Sequence, residues 1–297
     1  RYFSDEPLDT SWLQLANLDL EISVGHLVAD AINVTDVDIG IELQDAALKV
    51  EPIYMRDSSG SVDAGFRLGP TGDVYTMEAR VAIDNVHIGV LVSEDADIST
   101  LPLFSGEMEI AGSGTSIRSI LGASDGHARL QQGPGRIKEL FGPFLFRDLI
   151  SQVIGALNIR RERGFLNIEC GFYDGTIEDG VLAVDRVAVQ TDRITLIASG
   201  KIRLRSERLD ITFRIKPREG IGVSLGGLVT SFIGVGGTLA DPSISLDPGR
   251  SAATTGAAFA TGGLSLLARG LWDRVSAEAS ICKDLEKKTT SPATPPG

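Results

Sequence analysis

Three histidines and two cysteines are the side chains of this 297-residue chain that most readily bind metals or take part in catalysis. His26, His87 and His127 do not form a known metal-ligand or triad spacing. There is no GxSxG, P-loop, GxGxxG or HExxH motif, and the Gly-Ser-Gly stretch at 112–114 lacks the nucleophile-elbow spacing. The sequence therefore predicts a protein that is not an enzyme and needs no metal or cofactor. Histidines or carboxylates converging in a pocket, such as His127 beside acidic residues, would favour an enzyme instead.

The cysteines predict a disulfide rather than a zinc site. Neither Cys170 nor Cys282 has a CxxC neighbour or a histidine at metal-ligand spacing. Cys170 continues an apolar pattern with Ile168 and Phe172, whereas Cys282 lies among charged residues. Because an exposed lone thiol is a liability in an oxidising compartment, we expect a Cys170–Cys282 disulfide. The alternative is a buried unpaired cysteine and an unrelated cysteine on the surface.

Charge is distributed unevenly along the chain. Residues 1–126 contain 6 basic and 22 acidic side chains, whereas residues 127–297 contain 22 basic and 18 acidic ones. The acidic first part argues against nucleic acid as a partner, since nucleic acid is bound by clustered Lys and Arg. We divide the chain into an acidic β-sheet portion (1–126), a second β portion (127–250), a helical segment (251–285) and a disordered tail (286–297).

The elements that position these side chains are predicted to be mostly strands, because apolar and polar residues alternate along much of the chain. Turns are expected at Asp174-Gly175, at Asp179-Gly180 and at 206–208, with a bulge at Asp185-Arg186 and one helical turn over 117–121. The predicted strands cover 17–24, 36–43, 48–50, 62–68, 75–83, 108–110, 128–130, 165–173, 176–177, 181–189, 193–205, 209–216 and two short segments near 235 and 244.

Two helices are predicted besides that turn. Residues 137–157 carry one broad apolar stripe, which predicts either a gate helix or ordinary core packing. The stripe consists of Leu145, Phe146, Leu149, Ile150, Val153 and Ile154. Residues 251–285 begin with small residues and are expected to form a helix that packs closely or lies at a surface.

One side of the predicted sheet is apolar and must be covered by a second layer, a helix or a molecule that is not protein. If it remains open, its side chains line a groove. The expected groove-lining residues are Ile168, Phe172, Leu182, Val184, Ile194, Leu196, Ile202, Leu204, Leu209, Ile211, Phe213 and Ile215.

The order of these elements resembles the C-terminal region of the AsmA-like proteins of Gram-negative envelopes. Four stretches carry the resemblance: Asp125-Gly126 to Gly135 before a lone amphipathic helix, 165–172 leading to Asp179-Gly180, 235–242, and 262–267 before the late Cys282. One departure is Gln44-Asp45-Ala46, where an Asp-Gly turn would be expected.

The resemblance implies a long curved antiparallel sheet, folded like a taco around an apolar groove. It also implies an envelope protein of the periplasm, held at the inner membrane by an N-terminal anchor absent from this chain. The implied role is phospholipid transport between the inner and outer membranes, with acyl chains and envelope proteins as partners. The alternative is a closed β-sandwich with a structural or protein-binding role in the envelope.

Overall fold

A computed structural model describes residues 1–14, 17–29, 32–87, 100–137, 166–192, 194–217, 232–245 and 282. Strands dominate the described residues. The first seven are β1 (Leu18–Ala29), β2 (Ile32–Gln44), β3 (Ala47–Arg56), β4 (Ser61–Thr71), β5 (Val74–Val86), β6 (Phe104–Gly114) and β7 (Asp125–Gln132). The others are β8 (Gly135–Ile137), β9 (Leu166–Glu178), β10 (Val181–Thr191), β11 (Ile194–Arg203), β12 (Arg208–Pro217), β13 (Phe232–Gly237) and β14 (Pro242–Ser245).

These fourteen strands form one antiparallel sheet, which confirms the predicted mainly β architecture. The order is β1 to β7 followed by β9 to β14, and the short β8 pairs with β9 beside this path. Neighbours in sequence are therefore neighbours in the sheet almost throughout. The change of charge at residue 126 falls inside β7, which is hydrogen-bonded on both sides.

Two tight hairpins are built on residues with positive φ. Asp179 and Gly180 have φ of 47° and 68°, which joins β9 to β10 through the predicted two-residue turn. Asp45 and Ala46 adopt the same conformation, with φ of 51° and 63°. The β2–β3 hairpin therefore keeps its tight turn although alanine stands where glycine is usual.

The turn predicted at Asp174-Gly175 is wrong, because β9 runs unbroken through both residues. Asp174 is instead an ion-pair partner, 2.5 Å from the guanidinium of Arg186 on β10. Gly175 fits closely against β10, where a β carbon would lie 3.0 Å from the carbonyl oxygen of Ala183. The predicted bulge in β10 is confirmed, since the register shifts between Val184 and Val187.

The predicted helical turn is α1 (Ile117–Leu121), and a second short element is a 3-10 turn over Ser11–Gln14. Ser116 begins α1 with a capping box shared with Ser119. Ile120 is fully buried beneath this turn. A buried apolar cluster lies elsewhere, across β11 to β13, where Ile233 and Val235 have no exposed surface.

The predicted gate helix lies outside the described residues, except that Ile137 ends β8. Its stripe residues Leu145, Phe146, Leu149, Ile150, Val153 and Ile154 are among those not described. The predicted segments 251–285 and 286–297 also lie outside, apart from Cys282. No helix within the described ranges has the length and hydrophobicity needed to cross a bilayer.

Candidate functional site

The apolar side chains are aligned across the sheet by its strand register. Paired residues on neighbouring strands point to the same side, so a row of partners defines one face. One row crosses thirteen strands without a single polar side chain. From β1 to β14 it consists of Ile22, Ile39, Ile53, Ala64, Val81, Met108, Ala128, Gly175, Val184, Gly200, Ile211, Val235 and Ile244. We call this the central row, and the side of the sheet that carries it the apolar face.

Exposure varies along the apolar face. At the β1 edge, Leu18 and Leu20 remain 46% and 40% exposed, and Met108 on β6 is 41% exposed. Every apolar side chain that β3, β4 and β5 place on this face is partly exposed. Some side chains on this face are buried, namely Val37 and Leu43 on β2, Ile177 on β9 and, towards β14, Ile211, Ile233 and Val235 of the buried cluster. Large apolar side chains that stay accessible along a sheet mark a binding surface.

Most of the predicted groove-lining residues share this face. Leu196, Ala198 and Ile202 lie on one side of β11 and pair with apolar partners on β10 and β12. Ile215 pairs through its backbone with Leu196, while Leu204 packs against the buried cluster from the turn after β11. The residues on the apolar face are Leu182, Val184, Ile194, Leu196, Ile202, Leu209, Ile211 and Phe213.

Phe172 does not lie on the apolar face, which corrects its predicted place in the groove. It pairs with Gln131 and Ala188, whereas the next residue, Tyr173, pairs with Leu130 and Val187. Ile168 is buried and lies beyond a register shift, opposite Thr191. The bulge that produces this shift breaks the alternation on which the sequence prediction depended.

The opposite side, here the polar face, carries ion pairs. Glu51 lies 2.6 Å from Arg67 and 2.7 Å from Arg80. Hydrogen bonds from these two guanidinium groups lower the pKa of Glu51, and the bond from Arg80 has the larger effect. Arg80 also lies 2.5 Å from Asp63. Each carboxylate in this network is paired with a guanidinium, which is typical of a solvated sheet surface.

His127 lies beside acidic residues on the polar face, which is the arrangement that would favour an enzyme. Its Nε2 is 3.8 Å from Glu107, and both His127 and Glu109 line an open cavity of about 440 Å³. The other histidines lie apart from it, His26 on β1 and His87 just after β5. The part of the chain that the structure describes contains no group of His, Cys, Asp and Glu suited to a metal ion.

The N-terminal segment closes one end of the sheet through a buried carboxylate. Glu207, in the turn before β12, accepts hydrogen bonds of 2.9 Å from the backbone N–H groups of Tyr2 and Phe3. Arg118 of α1 lies 3.1 Å from the same carboxylate and 2.5 Å from Asp5. Burial opposes ionisation of Glu207, but the two N–H groups and the Arg118 charge keep its pKa below the usual value.

Sequence reasoning missed the contact between the N-terminal segment and Glu207 because the segment contributes mainly backbone groups. The segment also has no periodic pattern of apolar residues that would predict a structure. Glu207 is only 1% exposed although it lies in a turn, and its φ is 57°. Nothing in the turn 206–208 distinguishes it from a solvated turn. Sequence reasoning also missed Gln132, whose position did give a signal, because a polar residue continues the apolar alternation of Ala128 and Leu130.

Cys170 and Cys282 form a disulfide, with 5.8 Å between their α carbons. Cys170 pairs with Gln190 and shares a side with Phe172, so the bond lies on the side of the sheet opposite the central row. The disulfide therefore attaches Cys282 to β9 on the side opposite the apolar face.

Comparison with known proteins gives one curated relative. The chain is 25% identical over 261 residues to the AsmA family protein YhjG of Escherichia coli strain K12. The aligned region covers 86% of this chain and 37% of that protein. The chain thus spans little more than a third of the relative's length. No family model matches the chain, and no solved structure does. The relative confirms the resemblance to AsmA-like proteins that the sequence motifs predicted.

Proposed function

We propose that this chain is a non-catalytic module of the periplasm that binds phospholipid acyl chains along its apolar face and conducts them. In this proposal it serves phospholipid transport between the inner and outer membranes and outer-membrane homeostasis. The longer protein would be held at the inner membrane, and envelope proteins would be its partners. The observation that carries the proposal is the central row, which crosses thirteen strands without a polar side chain.

The energetics favour such a path. Moving an acyl chain from a bilayer into water costs about 0.8 kcal/mol per CH₂, or about 12 kcal/mol for a sixteen-carbon tail. A continuous apolar surface removes most of that cost without a catalytic group or a cofactor. The polar face, on the other side of the same sheet, is solvated by water.

The length of the row favours conduction over the storage of one lipid. Thirteen strands are separated by twelve spacings of about 4.8 Å, so the row has a contour of about 58 Å. One acyl tail spans about 15 Å, which is half of a hydrocarbon core about 30 Å thick. The row is therefore long enough to hold several acyl tails one after another. The predicted taco-like curvature would place these positions along one groove.

A second candidate is a closed structural or protein-binding module of the envelope. It is favoured by the buried cluster around Ile233 and Val235, where the apolar face is already filled by protein. If the whole face were covered in this way, lipid would have no access to Met108 or to the central row on β3, β4 and β5.

Site-specific photocrosslinking distinguishes the two functions. We would place a photoreactive side chain at Met108, on the apolar face of β6, or at Glu109, its neighbour on the polar face. Under the lipid proposal, the protein labelled at Met108 crosslinks to phospholipid in vesicles or cells, whereas the protein labelled at Glu109 does not. Native mass spectrometry before and after delipidation should also detect co-purified phospholipid. Equal labelling at both positions, or no lipid at either, would contradict the proposal and favour the structural module.

A further inference from the structure

A polar pair interrupts the apolar face where β7 meets β9. Gln132 continues the alternation of Ala128 and Leu130 on β7, and it pairs with Phe104 on β6. Its side of the sheet is therefore the apolar one, yet its side chain carries an amide. Gln132 is only 4% exposed, so this amide is almost completely removed from water.

Tyr173 holds the amide in place. The phenol of Tyr173 donates a hydrogen bond of 2.7 Å to Gln132 Oε1. Gly171 lies between them, and a β carbon there would be 2.8 Å from Oε1 and 3.1 Å from the tyrosine ring. The missing side chain at Gly171 thus leaves room for the ring to reach across to β7. Burial raises the pKa of Tyr173, which keeps the phenol protonated and able to donate.

The other end of the amide lacks an acceptor. Gln132 Nε2 is buried and has no hydrogen-bond partner among the described residues. Because the phenol already occupies Oε1, the two hydrogen atoms on Nε2 point away from that contact. A buried donor without an acceptor is costly and uncommon in native proteins. An acceptor supplied by a bound molecule would satisfy it.

The surroundings of Gln132 favour a neutral oxygen over a charged one. Its register neighbours on the apolar face are Phe104, Leu130, Gly171 and Tyr173, none of which is a cation. A phosphate buried here would lose its hydration without gaining a counter-charge. An ester carbonyl needs one donor, and it joins directly to the acyl chain that the apolar face accommodates.

We propose that Gln132 Nε2 donates a hydrogen bond to an ester carbonyl of a diacyl phospholipid lying on the apolar face, with Tyr173 as a positioning residue. This inference rests on the proposed function, and it specifies which lipid chemistry the face selects. The tails would continue along Leu130, Ala128 and the central row.

The test compares two lipids that differ only in this oxygen. A diacyl phosphatidylethanolamine carries ester carbonyls, whereas the dialkyl ether lipid with the same chains and headgroup carries none. We expect the wild-type protein to bind the ester lipid about 5- to 10-fold more tightly, the effect of one hydrogen bond between neutral groups. Binding is measured by titrating the protein with fluorescent analogues of both lipids.

Variants assign that selectivity to the amide. Gln132→Leu should bind the ester and ether lipids equally, because it removes the donor to the ester carbonyl. It also leaves the buried Tyr173 phenol without its acceptor, so thermal stability should fall in this variant. Tyr173→Phe keeps the ring and should reduce the ester preference about 2- to 3-fold. The matched control is Gln131→Leu, the same substitution at the preceding residue, which lies on the opposite face. The ester preference should persist in this variant.

Three results would overturn the inference. If the wild-type protein binds ester and ether lipids equally, or if Gln132→Leu keeps the ester preference, the carbonyl contact is wrong while the lipid function stands. If neither lipid binds, the proposed function itself fails, and the inference fails with it.

Discussion

The buried carboxylate of Glu207 makes a quantitative prediction about how the N-terminal segment is held. Replacing it by glutamine preserves the shape of the side chain but removes its charge. One N–H group, of Tyr2 or Phe3, then faces an amide NH₂ group instead of an acceptor. The Arg118 guanidinium loses its partner at 3.1 Å and keeps Asp5, which lies 2.5 Å away.

Removing one partner from a buried ion pair costs about 3–5 kcal/mol. Because Arg118 retains Asp5, we expect Glu207→Gln to lower the free energy of unfolding by about 3 kcal/mol. Urea denaturation measures this loss. Hydrogen exchange should also accelerate at the amides of Tyr2 and Phe3, since these are the groups that Glu207 binds.

The loss should depend on pH in a defined direction. The folded-state pKa of Glu207 is lowered, so the stability from its ionisation is fully present above its unfolded pKa of about 4.3 and disappears as pH falls through the folded value. The difference between wild type and Glu207→Gln should therefore be constant from about pH 5 to pH 8 and shrink below about pH 4.

Glu6→Gln is the matched control, because Glu6 is an exposed acid of the same segment. It removes the same charge and should change stability by no more than about 0.5 kcal/mol. If Glu207→Gln costs no more than Glu6→Gln, or if exchange at Tyr2 and Phe3 stays unchanged, the N-terminal segment is not held by this carboxylate.

Two further predictions concern the backbone and the disulfide. Gly200→Ala should destabilise the protein by about 2–4 kcal/mol in urea denaturation. The reason is that Gly200 has a φ of +147° and that a β carbon there would lie 2.0 Å from the Asp210 carbonyl oxygen. Gly25 has open space around it, so the control Gly25→Ala should change stability by less than about 1 kcal/mol. Equal effects of the two would refute the steric argument. Cys170→Ser should cost about 4–5 kcal/mol, because the disulfide closes a loop with a sequence separation of 112. The unreduced wild-type protein should take up no alkylating reagent, and labelling of Cys282 without reductant would show that the disulfide is absent in solution.

The strands could be predicted because a half-exposed antiparallel sheet imposes period 2 on its sequence. Residues such as Leu18, Leu20 and Ile22 report their face directly through that alternation. A two-residue turn such as Asp179-Gly180 leaves the next strand beside the last. The apolar face therefore followed from local pattern alone.

The wrong predictions concern residues whose sequence pattern is compatible with two different local structures. Asp-Gly is a frequent turn, but Asp174 is held in a strand by Arg186 on its neighbour, a contact that only the register reveals. Phe172 was misplaced because the bulge near Ile168 changes which residues share a side. Long-range contacts such as Glu207 with Tyr2 join residues 205 apart, and no periodicity reports them.

The central row has a consequence for how proteins of this kind vary in size. It reaches both outermost strands, with Ile22 on β1 and Ile244 on β14. A hairpin added at either edge in the same register would lengthen the path by about 10 Å and leave its cross-section unchanged. Under the proposed function, gain or loss of hairpins would match the length of the path to the distance between two membranes, because each hairpin preserves which side is apolar.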